Sequence, residues 1–124
     1  MAELSETEAG EIREFVVRNQ FVVRSAGTFD GFGDEQQVWE RDGALVRLTH
    51  DRGEWWCDLS HFGWSDWFDV DLAAGALGSK SYGRTDRVGD VIDKFTDDRM
   101  LEPLRAYRAD ATVAERQRED PRSE

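Results

Sequence analysis

Residues 37–60, QVWERDGALVRLTHDRGEWWCDLS, decide the fold. Asp42-Gly43 separates two alternating runs, and this pair favours a type I′ hairpin because both central residues of that turn need positive φ. Asp51-Arg52-Gly53 predicts another reversal, a three-residue turn with its glycine in the left-handed position. Ala44, Val46 and Leu48 alternate with Leu45, Arg47 and Thr49. Trp55, Cys57 and Leu59 alternate with Trp56, Asp58 and Ser60. This period of two predicts an antiparallel meander of three strands. Its inward face would carry Ala44, Val46, Leu48, Trp55, Cys57 and Leu59. Trp56 would then lie on the opposite face, beside Asp58.

Outward from this centre the signals turn helical. Ser5 with Glu8 forms a capping box, and Ile12, Phe15, Val16 and Asn19 follow at spacings of three and four. These predict a helix over 6–19. Phe21-Val22-Val23 predicts a short strand over 20–26. Residues 68–72 alternate like a strand, yet Asp69 can cap a short helix closed at Leu77-Gly78, and the helix is the preferred reading. Asp86 can cap a helix striped by Val88, Val91, Ile92 and Phe95. Met100, Leu101, Leu104, Tyr107 and Val113 predict another, with Pro103 tolerated in its first turn. From about 114 onward apolar periodicity ends, which predicts a frayed or disordered polar tail, 114–124, after one domain over 1–113. The expected class is α+β: an antiparallel meander sheet of about four strands, with an N-terminal helix and C-terminal helices packed on it.

The chain has 124 residues, with 16 basic and 27 acidic side chains, for a net charge of −11. Hydrophobic residues make up 39%, enough for a single core. No apolar run approaches the ~18–20 residues of a transmembrane helix. The acidic start, MAELSETEAGEIREF, lacks the apolar centre of an export signal, so a cytoplasmic location is expected. Residues 26–71 hold 11 acidic and 3 basic side chains, and so carry most of the imbalance. Such a field repels nucleic acid and anionic membranes and attracts a basic protein.

Few patterns point to catalysis. Cys57 occupies an inward strand position, where a thiol behaves as a small hydrophobe. No GxSxG elbow is present. His50 and His61 flank one strand, about 30 Å apart at ~3.3 Å per residue, and no HExxH motif occurs. Asp66, Asp69 and Asp71 lack the glycine and terminal glutamate of a calcium loop. Gly31-Phe32-Gly33-Asp34-Glu35 has the glycines of a phosphate cradle, but two acids and no lysine. The expectation is a non-enzymatic protein without metal or cofactor.

What remains is aromatic and acidic. There are five tryptophans. Phe62, Trp64 and Trp67 share a short segment with Asp66, Asp69 and Asp71, close to Trp56 and Asp58. Aromatic anchors with an acidic rim suit a basic partner. The candidate partner-binding residues are therefore Trp56, Asp58, Phe62, Trp64, Asp66, Trp67, Asp69 and Asp71, with Asp34 and Glu35 from the glycine-rich loop. The opposing reading is that this segment folds back and seals the sheet.

The runs DRGEWWCDL over 51–59 and WFDVDL over 67–72 resemble small acidic bacterial immunity proteins of polymorphic toxin systems, a likeness of style spanning residues 36–78. It implies a non-enzymatic inhibitor that occludes a basic toxin or effector, and it assigns no role to any single residue. Two other readings stay open: a small ligand-binding domain or enzyme with a tryptophan-lined pocket, and a homodimer built through the aromatic patch. Shape separates the ligand-binding reading from the inhibitor. A concave cavity holding a carboxylate of raised pKa favours the ligand, and a flat or convex acidic face favours the inhibitor.

Overall fold

The computed structural model describes residues 3–28, 35–79, 83–94 and 98–119. Helix α1 (Glu6–Arg18) starts on the expected capping box. The Ser5 hydroxyl accepts from the Glu8 amide at 3.0 Å, and the Glu8 carboxylate accepts from the Ser5 amide at 3.0 Å. Ala9, Ile12 and Val16 are its buried stripe. Gln20, at φ 66°, turns the chain out of the helix, so the first strand begins two residues later than its sequence suggests.

Five strands follow: β1 (Val22–Thr28), β2 (Glu35–Arg41), β3 (Ala44–Asp51), β4 (Glu54–His61) and β5 (Phe68–Asp69). They form one antiparallel sheet in chain order. Asp42 (φ 52°) and Gly43 (φ 87°) make the expected I′ turn. The turn between β3 and β4 is tighter than predicted. Asp51 pairs directly with Glu54, leaving only Arg52 (φ 53°) and Gly53 (φ 82°) between them, another I′ geometry in place of the three-residue turn.

Helices α2 (Val70–Ala76), α3 (Arg84–Ile92) and α4 (Leu101–Glu119) complete the α+β domain. The strand and helix signals in 68–78 are both realised, because two residues pair with β4 before Asp69 caps α2. Gly78 (φ 72°) closes that helix, with the Ser79 amide donating to the Ala74 carbonyl at 2.9 Å and the Gly78 amide to the Gly75 carbonyl at 3.3 Å. The tail is a departure. Helix α4 runs through Glu119, where fraying was expected from 114. Ala114, Glu115, Arg116, Gln117 and Arg118 are strong helix formers, and that preference carries the backbone on without an apolar stripe.

The core lies between the sheet and its helices. Ala44, Val46, Leu48, Cys57 and Leu59 are buried as predicted, against Ile12, Val16, Phe68, Val70, Val88, Val91, Ile92 and Leu104. Each large side chain so buried contributes about 1.5–3 kcal/mol of transfer free energy. Trp55 is only half-buried. It sits at the hairpin end, stacked on His50 at 4.3 Å with the Arg13 guanidinium 5.4 Å from its ring. Phe95 of the α3 stripe lies outside the described residues.

Candidate functional site

The segment that joins β4 to α2 folds back onto the sheet. Gly63 (φ 92°) reverses the chain, and the Trp64 amide donates to the His61 carbonyl at 3.0 Å. The Ser60 hydroxyl, fully buried, donates to the Asp66 carbonyl at 2.6 Å. Trp64 meets Phe68 edge-on at 6.1 Å and packs against the core. The Trp67 ring carries the Arg47 guanidinium at 4.2 Å. None of the five tryptophans is exposed. Trp64 and Trp67, expected as outward anchors, are each half-buried, Trp64 by packing on the core and Trp67 beneath Arg47, where it also lines a groove. Trp56 lies on the face opposite the core, half-buried. Phe62 alone among the expected anchors is exposed, at 61%.

Most of the expected acidic rim is held internally as well. Asp58, only 8% exposed, faces Arg47 across the strand pair at 3.0 Å. Asp71 pairs with Arg87 of α3 at 2.8 Å. Glu35 stands 3.7 Å from Arg13. Asp66 is gripped twice from α4, by Arg105 at 2.7 Å and Arg108 at 3.0 Å. The hydrogen bond from Arg105 and then that from Arg108 pull the Asp66 pKa down to about 2, against an opposing desolvation effect. Asp34 lies outside the described residues.

Asp69 differs from these. Its Oδ2 accepts from the amides of Asp71 (3.1 Å) and Leu72 (3.4 Å), capping α2. Its Oδ1 is shielded from solvent and meets no donor among the described residues. No cationic side chain pairs with it there. Burial, then the negative charges of Asp71 and Asp58, raise its pKa above the ordinary carboxylate value, and the two amides oppose this only in part.

Asp69 lines an open groove of about 770 Å³. Its lining comes from β3 and β4 (Arg47, Asp58), from the start of α2 and the residues before it (Trp67, Phe68, Asp71, Leu72), and from α4 (Tyr107, Arg108, Ala111, Thr112). Gly75 sets how closely α4 approaches, since a Cβ there would stand 2.6 Å from the Tyr107 hydroxyl. The groove is concave and open to solvent. Cys57 sits beneath, its thiol pushed well above its ordinary pKa by burial and then by Asp58, Asp69 and Asp71, so it is a poor nucleophile. Among the described residues no cluster of histidine, cysteine or carboxylate side chains is arranged to hold a metal ion. Nor is any helix there long and apolar enough to cross a membrane.

Sequence reasoning missed the α4 wall and the arginines. The available signal was the spacing of Arg105, Arg108 and Thr112, three and four residues apart, which puts them on one helical face. Comparison with protein-family models, with curated proteins and with solved structures finds no match to the chain. Function must therefore be argued from the groove.

Proposed function

We propose that the chain is a non-enzymatic ligand-binding domain whose site is the groove between β5, the start of α2, and α4. One observation carries this reading: a concave cavity of about 770 Å³ has a tryptophan on its wall and the Asp69 carboxylate beside it, and that carboxylate has no cationic partner among the described residues. Apolar surface from Trp67, Leu72 and Tyr107 would supply contact area. No nucleophile paired with a base stands among the described residues of the groove, which supports binding rather than turnover.

The test is a ¹⁵N NMR titration with small aromatic probes. Saturable shifts are expected at Leu72, Ala111 and the Trp67 indole, and Thr112→Trp should abolish them by filling the groove from an exposed helix position. Saturable shifts elsewhere, or none, would refute the reading.

The alternative, an immunity-type inhibitor of a basic toxin, is supported by the net charge of −11 and by exposed Phe62. Asp58 and Asp66 are poor places to test it, because reversing their charge would break Arg47 and α4 contacts. Reversing exposed Asp42, Asp51 and Glu54 leaves the groove intact. On that reading the triple reversal slows association with a basic partner at low salt.

A further inference from the structure

We infer that the outer edge of β1 docks a second copy of this chain, whose own β1 adds antiparallel so that the two five-stranded sheets become one.

The two edges of the sheet are finished differently. At the far edge β5 is only two residues long, and the Leu4 amide covers the other end of β4 by donating to the Trp55 carbonyl at 2.8 Å. Short strands and covering segments of this kind blunt an edge. The β1 edge has neither. It is seven residues long, it pairs with β2 alone, and no described element takes its other side. Val22 through Gly27 are all exposed. Proline and lysine, the usual guards, do not occur in it, and the bulge between Val23 and Ser25 leaves Ser25 to Thr28 in regular register with β2. Apolar surface collects here as well. Six large hydrophobic side chains are exposed among the described residues, and four belong to β1 or its surroundings: Val22, Val23, Val17 in the last turn of α1, and Phe62, whose ring lies 5.8 Å from the Arg24 guanidinium.

Charge decides the occupant. A chain of net charge −11 repels its own copies over most of its surface. Every other described strand and every described helix carries at least one carboxylate, whereas β1 carries none. Its one charged residue, Arg24, is paired with Glu40 at 3.2 Å. A basic partner therefore finds no acid on this strand, and an acidic one finds the arginine already neutralised. Two copies meet here without opposing carboxylates.

The strand is also complementary to itself. Its bulk lies at one end, in Val22 and Val23, and the small residues Ser25, Ala26 and Gly27 lie toward the other. A two-fold axis at Ser25 reverses the second strand, so Val23 of each copy stands opposite Gly27 of the other, and Arg24 opposite Ala26. Edge amides and carbonyls then exchange hydrogen bonds, and the valines lose water.

The experiment is sedimentation velocity on the full chain over a concentration series. The mass should rise from 14.2 kDa toward twice that value, and added salt should tighten association by screening the like charges. Hydrogen exchange over residues 22–28 should slow with concentration, while exchange in α3 should not change. Ser25 is exposed and lies at the axis. Ser25→Glu and Ser25→Lys each set like charges opposite one another and should each weaken the dimer about fivefold. An equimolar mixture of the two variants should associate about tenfold more tightly than either alone. Circular dichroism checks that both variants fold. A chain that stays monomeric up to about 1 mM, at low and at high salt, overturns the inference. So does a dimer indifferent to both substitutions, because its interface then lies elsewhere. A dimer that responds oppositely to the two overturns it as well, because the edge then faces a fixed charge rather than its own copy.

Discussion

The β2–β4 meander and the segment from His61 to Leu72 are neighbours in the chain, yet they are built by opposite rules. In the meander every decisive partner is close in sequence: Val46 faces Leu59, Leu48 faces Cys57, and two-residue turns fix the register. In the segment the decisive partners are remote. Asp66 is held from α4, 39 and 42 residues away, and Asp71 from α3, 16 residues away. Local order makes the meander readable from pattern alone. The His61–Leu72 segment has the pattern of an exposed acidic rim, and distant arginines hold Asp66 and Asp71 in place.

The largest break in this comparison is expected at Phe68, fully buried where the two regions meet. Phe68→Ala should cost about 3–5 kcal/mol in denaturant unfolding, by removing the ring under Arg108 and beside Trp64. The meander turns sharpen it next. Gly53→Ala meets open space and should cost about 1–2 kcal/mol from positive φ alone. Gly43→Ala should cost more, because its methyl would stand 2.8 Å from His61 Nε2 and must displace that half-buried ring. Equal losses at the two turns would show that His61 yields freely. At the other end of the molecule, Ser5→Ala removes a purely local cap and should cost about 1 kcal/mol, read from the thermal midpoint.

Acid should act on the remote contacts. Asp66 is depressed in the folded state, so its contribution is complete above the ordinary value of 3.8 and is lost as pH falls toward about 2. Hydrogen exchange over residues 105–112 should therefore quicken in that window, and high salt should have the same direction of effect. Asp69 has the opposite sign. Its raised pKa means that its ionised form opposes folding above the ordinary value, so Asp69→Asn should slightly stabilise the protein at neutral pH, a gain that fades in acid. A clear destabilisation at neutral pH would mean that the charge itself is needed at the α2 terminus.

Much of the architecture was legible, and for a physical reason. Alternation, the Asp-Gly turn, the Ser5–Glu8 box and the Asp69 cap are all local signals, and each formed as expected. Less of the site was legible. Asp58, Asp69 and Asp71 do line one cavity, but Asp58 and Asp71, like Asp66 nearby, are paired with arginines whose positions only the tertiary fold determines. Trp64 and Trp67 were visible as a cluster, while their inward turn depends on Gly63 and on the Ser60 contact with Asp66. The groove itself needs α4, and the sequence of that helix announces neither its length nor the close approach that Gly75 permits.

The central claim is that Asp69 stands apart from the other carboxylates of the groove. Site-resolved ¹³C NMR titration of the aspartate side chains tests it most directly. The account predicts that Asp66 titrates at about 2 and Asp69 above the ordinary 3.8, two neighbours displaced in opposite directions. If both titrate together near 3.8, the arginines do not hold Asp66 and Asp69 is not the unmatched charge.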